Sequence, residues 1–152
     1  MNISRKIDQF AAWLPLRPAA YMCMLAIWTV TLWFLSASSP GSESAPKIPH
    51  LDKIAHFSYF LCGGAAFAAF LGLKWPECSR FRVFTMVSVV FCLIGRLDEY
   101  HQSFTPGRSA NDIGDWIADC MGAVVGGLLV ITILLPRMHK HVKKYARSVK
   151  DS

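Results

Sequence analysis

Residues 52–73 read DKIAHFSYFLCGGAAFAAFLGL. After Asp52 and Lys53 come 20 residues, Ile54 to Leu73, with no Asp, Glu, Lys or Arg among them. A straight helical crossing of a bilayer takes about 20 predominantly apolar residues, so this stretch crosses unaided. Within lipid the backbone must satisfy its own hydrogen bonds, which makes the stretch a helix. Gly63 and Gly64 lie inside it, where the missing side chains let a second helix come close.

Three more apolar runs flank this one. Pro18 to Ser42 gives 25 uncharged residues, Val83 to Gly95 gives 13 and Cys120 to Pro136 gives 17. The first qualifies alone. The other two are short, so the third span must reach Arg96, Asp98 or Glu99, and the fourth must begin near Asp115. A cleaved signal peptide ending near Ser36-Ala37-Ser38 is the competing reading of the first run. The long segment before it and the bulk of Trp28 and Trp33 favour an uncleaved helix. The chain of 152 residues is long enough for one domain, with 53% hydrophobic and 17% charged residues. Its mean hydropathy is +0.34. The expected fold is an all-α membrane protein: a four-transmembrane-helix bundle with an N-terminal interfacial helix and a basic C-terminal tail. The spans fall at about 18–37, 54–73, 81–99 and 115–136. They form a membrane domain over 18–136, between an interfacial segment 1–17 and a tail 137–152.

Charge sets the expected sidedness. One side of the four spans carries Arg5, Lys6, Arg17, Lys74, Arg80, Arg82 and the tail bases Arg137, Lys140, Lys143, Lys144, Arg147 and Lys150, 12 in all. The other carries 4: Lys47, Lys53, Arg96 and Arg108. The positive-inside rule puts the first side, with both termini, in the cytoplasm. Acids run the other way: Glu43, Asp52, Asp98, Glu99, Asp112, Asp115 and Asp119 are all on the outer side. Acids contribute little to topology, so their gathering needs its own explanation. The net charge of +6 fits cytoplasmic loops facing anionic lipid. No aromatic interleaving or recognition motif points to nucleic acid.

The ends are amphipathic. Ile3, Ile7, Phe10 and Leu14 share a helical stripe that Pro15 ends, as in a helix lying in the interface. Met138, Val142, Tyr145 and Val149 form a second stripe among the tail bases, each of which contributes about 1 kcal/mol near an anionic surface. Ser38 to Pro49, rich in Ser and Pro, reads as a loop. Five cysteines, with no CxxC, read as small apolar core residues rather than a disulfide or zinc framework.

The polar residues fall into three stretches. Asp52, His56, Tyr59 and Gly63 follow one helix face into the second span. Arg96, Glu99 and Ser103 share one face at the end of the third, and Asp98, His101 and Gln102 another. A Pro106-Gly107 turn then delivers Arg108. Asp112, Asp115, Asp119, Gly122 and Gly126 share a face at the start of the fourth. Three ionised acids on one helix end repel, so Arg96, Arg108, Lys53, protonation or a cation must neutralise them. Topology brings all three stretches to one membrane surface. Ionisable residues in a membrane bundle mark function more often than structure. The candidate site is Asp52, Lys53, His56, Arg96, Asp98, Glu99, Gln102, Arg108, Asp115 and Asp119.

These residues resemble the VanZ-like family of bacterial membrane proteins. Its Asp-Lys-x-x-His-Phe motif appears at Asp52, Lys53, His56 and Phe57. Its Asp-Glu-x-x-Gln-x-Phe-x-Pro-Gly-Arg motif appears at Asp98, Glu99, Gln102, Phe104, Pro106, Gly107 and Arg108. Asp115, Asp119, Gly122 and Gly126 match the third. The resemblance covers about residues 50–130. A tyrosine common four after the histidine is Phe60 here, with Tyr59 one earlier. The spacing after Arg108 is one residue longer, so either Asp112 or Asp115 takes the aspartate's place, and Asp119 favours Asp115. The resemblance implies a membrane bundle in the bacterial inner membrane. The family takes its name from a protein associated with resistance to the glycopeptide teicoplanin.

Two functions are compatible with this pattern. The first is a cell-envelope protein whose extracytoplasmic polar pocket takes a lipid headgroup, wall precursor or glycopeptide, with Arg96, Arg108 and Lys53 pairing to phosphate or carboxylate. The second is a membrane enzyme acting on a lipid-linked or envelope substrate. There His56 or Glu99 acts as base, or Glu99, Asp115 and Asp119 hold a divalent cation. No nucleophile motif is present, and no resident metal or cofactor is assigned. A transporter ranks third, since four short helices leave little room for alternating access.

Overall fold

The computed structural model describes residues 2–38, 50–108 and 111–150, without the side chains of 149 and 150. All regular structure there is helical. Helix α1 spans Ile3–Trp13, α2 Pro18–Ala37, α3 Leu51–Lys74, α4 Arg80–Gln102 and α5 Ile113–Leu129. A π-helical segment, Val130–Leu134, joins α5 to α6, Leu135–Lys150. Three helical stretches are long and apolar enough to cross a membrane: Pro18–Ala37, Leu51–Lys74 and Ile113–Ser148. Helix α4 matches them in length, at 23 residues, but carries Arg80, Arg82, Arg96, Asp98 and Glu99.

Local chemistry explains the boundaries. Helix α1 stops before Pro15, and α2 begins with Pro18 in its first turn, where a missing N–H costs nothing. Ser79 caps α4 by accepting from the Arg82 amide at 3.3 Å. Asp112 caps α5 by accepting from the Gly114 amide at 2.7 Å. Thr105 to Arg108 closes with a 3.2 Å backbone bond. Gly107 stands at φ 80° there, the positive φ that the third residue of a type II turn requires. Residues 39–49 of the expected Ser/Pro-rich loop lie outside the described residues, as does the Val149 side chain of the tail stripe.

Helix α3 is the centre of the bundle and touches α2, α4 and α5. Lipid tails are as apolar as leucine, so close backbone packing has to hold membrane helices together. Here α5 lies against α3 through glycines. A Cβ on Gly122 would collide with the Phe57 carbonyl oxygen, one on Gly126 with the Leu61 carbonyl oxygen, and one on Gly64 with the Ala123 backbone. Gly63 instead makes room for side chains, since its Cβ would meet Trp28 and Phe91. Trp28, Phe60 and Phe91 cluster there with centroids 5.3–6.1 Å apart. Trp28 and Tyr59 also bond reciprocally. Trp28 Nε1 donates to the Tyr59 carbonyl at 3.0 Å, and the Tyr59 hydroxyl to the Trp28 carbonyl at 2.7 Å. This fastens α2 to α3.

The described part of the tail continues the preceding helix, since α5, the π turn and α6 run on as one helix. Pro136 lacks the N–H that would bond the Thr132 carbonyl, and its ring crowds that carbonyl. The chain responds one turn earlier by widening, with the Leu135 amide bonding back five residues to Val130. Met138 is buried, while Val142 and Tyr145 are exposed beyond it. Arg137 Nε meets Asp8 at 2.8 Å, so α6 and α1 meet at the end of the bundle away from the Pro-Gly turn. The cysteines are core residues only in part: Cys78 packs against the hydrophobic core, Cys92 and Cys120 are half-buried, and Cys23 and Cys62 are exposed.

Candidate functional site

At the end where α2 and α4 finish and α3 and α5 begin, the polar side chains form two adjoining groups. The first surrounds Lys53. Its Nζ lies 3.0 Å from Asp115 Oδ1, 3.2 Å from Asp112 Oδ2 and 3.3 Å from Asp52 Oδ2. Asp112 and Asp115, the two candidates for the motif aspartate, thus share one ammonium. Gly114 leaves the space, since a Cβ there would stand 2.8 Å from Lys53 Cε. The ammonium, helped by the Gly114 amide, holds the Asp112 carboxyl below the usual carboxylate range. Asp115 is nearly buried at 8% side-chain exposure, whereas Lys53 keeps 32%.

The second group is deeper. His56 Nδ1 stands 3.0 Å from Asp119 Oδ1, and Asp119 is fully buried. Gly95 makes the room, because a Cβ there would lie 3.1 Å from Asp119 Oδ2. Glu99 is also fully buried. Its Oε2 accepts from the Asp112 amide at 2.7 Å, tying the end of α4 to the start of α5. Asp98 accepts from the Ser36 hydroxyl and from Gln102 Nε2 at 2.7 Å. One ligand-type atom from each of His56, Asp98, Glu99 and Asp119 falls within 4.8 Å of all the others.

Arg108 frames the group. Its guanidinium donates to Gln102 Oε1 at 3.1 Å, to the Leu35 carbonyl at 2.7 Å and to the Ser38 carbonyl at 3.1 Å. Those carbonyls lie at the C-terminal end of α2, in its last turn and at its cap Ser38, where helical carbonyls run short of partners. A planar fork with several donors suits the task better than an ammonium.

Nine of the ten sequence-predicted residues meet at this end. Arg96 does not. It is exposed, and no ion pair or hydrogen bond reaches its side chain among the described residues. It lies a turn before Glu99, yet Glu99 is buried while Arg96 is exposed. Asp115 also stands apart from the cation set expected with Glu99 and Asp119, because it is committed to Lys53. Reading the sequence missed Ser36 and Thr105, whose hydroxyls bond Asp98 and the Ser36 carbonyl. It also missed the stacking of His101 on Trp33, with centroids 3.9 Å apart. A serine near the end of an apolar run carries no spacing signal. Its role appears only when α2 is laid against α4.

Glycine-packed apolar helices with buried acids at one end define an α-helical, multi-pass membrane protein. A family model described as VanZ/LLP1 matches residues 19–135, which takes in α2 after its first residue, α3 to α5 and every residue of both polar groups. The chain belongs to the VanZ/LLP1 family. No curated protein and no solved structure matches it.

Proposed function

We propose that the chain is a cell-envelope protein that binds the head of an amphiphilic molecule, a lipid headgroup or lipid-linked wall precursor, in a pocket at the extracytoplasmic end. In this reading α4 is the fourth crossing, and both termini lie in the cytoplasm of a bacterial inner membrane. The observation that carries it is a cavity of about 230 Å³ between α2, α3 and α4. Leu32, Leu35 and Phe60 give it an apolar wall, while His56, Asp98 and Arg108 give it a polar one. Such a cavity suits a molecule with a chain in lipid and a head in water. Ligand sites usually measure about 300–1,000 Å³, so the space fits a head or single sugar and only part of a glycopeptide.

The charges narrow the head. Asp52 and Asp98 line the cavity with Arg108 as the only Lys or Arg among the described residues, and Arg108 already serves three acceptors. Hydroxyl and amide donors fit these walls better than bare phosphate. Lys53 is spent on its own acids, and Arg96 points elsewhere, so direct phosphate pairing by those bases drops out. An enzyme is the second reading, favoured by the buried His56–Asp119 contact, in which a carboxylate can orient an imidazole base.

Ala55 lines the cavity and is itself exposed, so it offers a test with little effect on the fold. Full-length protein purified in mild detergent should carry an envelope amphiphile that mass spectrometry identifies in organic extracts. Ala55→Phe, which fills the cavity, should reduce that amphiphile about tenfold, as for the loss of about 1.4 kcal/mol of binding. Equal recovery from both proteins would refute the pocket.

A further inference from the structure

The two polar groups differ in what neutralises them. Asp52, Asp112 and Asp115 surround an ammonium that the chain itself supplies. Among the described residues the deeper group has no such base. Asp98, Glu99 and Asp119 are all buried, and among the described residues His56 is the only nitrogen ligand within 4.8 Å of their ligand atoms. Arg108 reaches Gln102 rather than any of the three carboxylates.

A second observation is independent of that acidity. Glu99 Oε1 and Asp119 Oδ2 are buried and have no hydrogen-bond partner among the described residues. Both residues are fully buried, so water does not compensate them at the surface. An unsatisfied buried carboxylate oxygen is costly, and two in one cluster more so. Their remaining oxygens are placed by the chain: the Asp112 amide fixes Glu99, and His56 meets Asp119. Each carboxylate is thus oriented through one oxygen and keeps the other free. For Glu99, held by a group outside the cluster, that division is typical of a metal ligand fixed by an outer hydrogen bond.

We propose that His56, Asp98, Glu99 and Asp119 form a binding site for one divalent transition-metal ion of the zinc type. An imidazole joined to carboxylates suits zinc, whereas magnesium and calcium favour sets made wholly of oxygen. The ion offsets two of the three carboxylate charges in a place where, among the described residues, no Lys or Arg does so. It also ties α3, α4 and α5 together, since His56 comes from the first, Asp98 and Glu99 from the second and Asp119 from the third.

The site needs no particular amphiphile, and the metal alone probes it. Full-length protein in detergent is stripped with EDTA, dialysed and titrated with Zn²⁺, with Mg²⁺ as comparator. Zn²⁺ should bind at one equivalent and raise the melting temperature by about 5–10 °C at a hundredfold excess over Kd. Mg²⁺ should do less at the same concentration. Co²⁺ should replace Zn²⁺ and give visible d–d absorption that saturates at one equivalent. Asp119→Asn should weaken Zn²⁺ at least tenfold, while Asp112→Asn, in the Lys53 group, should leave the stoichiometry unchanged. If Asp119→Asn does not accumulate, the Co²⁺ spectrum of the unaltered protein decides. No saturable Co²⁺ band, or no Zn²⁺-dependent shift in melting, overturns the site and leaves protons as the neutralising charge. The metal site shares His56 and Asp98 with the amphiphile pocket, but the metal titrations and the Ala55→Phe comparison read different ligands, so failure of one is distinguishable from failure of the other.

Discussion

Lys53→Met is expected to destabilise the protein by about 2–4 kcal/mol. Removing one partner of a fully buried ion pair costs about 3–5 kcal/mol, because the other charge stays buried and unpaired. Lys53 keeps a third of its side chain in contact with solvent, which trims the figure, but Asp115 is nearly buried and Asp112 shares the same ammonium. Met retains most of the apolar stem, so the loss reports charge rather than packing. Melting curves in detergent, beside membrane accumulation, measure it. Adding Asp115→Asn to Lys53→Met should restore at least half of the loss by removing the stranded carboxylate. A single variant within about 0.5 kcal/mol of the parent, the range of ordinary surface changes, would mean that the ammonium does not hold these helix ends together.

Gly126→Leu is expected to cost about 3 kcal/mol or more and to drive α5 away from α3. Overpacking usually costs about 1–3 kcal/mol because neighbouring side chains can rotate aside. At Gly126 the first atom met is the backbone carbonyl oxygen of Leu61, which cannot rotate aside without breaking its helix. Gly122 meets Phe57 in the same way one turn earlier, so the two helices cannot pivot about one contact to relieve the other. Separating α3 from α5 also pulls Lys53 from Asp115 and His56 from Asp119. The exposed Leu129 on the same helix serves as control, and Leu129→Ala should stay within about 1 kcal/mol. Accumulation and melting temperature report both. A Gly126→Leu protein as stable as the parent would contradict the close α3–α5 contact.

Most of the helical organisation was legible because the lipid constraint is severe. The uninterrupted run from Ile54 to Leu73 leaves no alternative to a helix, and α3 exceeds it only by three residues at its start and one at its end. The third helix was harder to bound. Asp98 and Glu99 looked like its end, yet α4 continues to Gln102 because both acids turn inward to partners. The tail's continuity with α5 was hidden by Pro136, which reads as a stop unless the preceding turn can widen. At the site, i, i+3 and i+4 spacing was enough to group Asp52 with His56 and Asp115 with Asp119, since a helix face fixes those relations. Partnerships between helices were not legible. Nothing in the spacing assigns Lys53 to Asp112 and Asp115, gives Asp98 to Ser36, or turns Arg96 away. Those depend on how far each helix is rotated, which the glycine contacts of α3 and α5 determine.

The central claim is that α4 crosses the membrane and carries the polar end to the extracytoplasmic face. Labelling tests it most directly at the two ends of that helix. In a background without the native cysteines, single cysteines are placed at Glu77, before α4, and at Phe104, after it. A third goes at Tyr145 in α6. Phe104 and Tyr145 are exposed, as is Glu77, so each reports access rather than burial. A membrane-impermeant maleimide applied to intact cells should label only the Phe104 position. The Glu77 and Tyr145 positions should react only after permeabilisation. Labelling of Glu77 together with Phe104 in intact cells would contradict the account, because α4 would then begin and end on the same side.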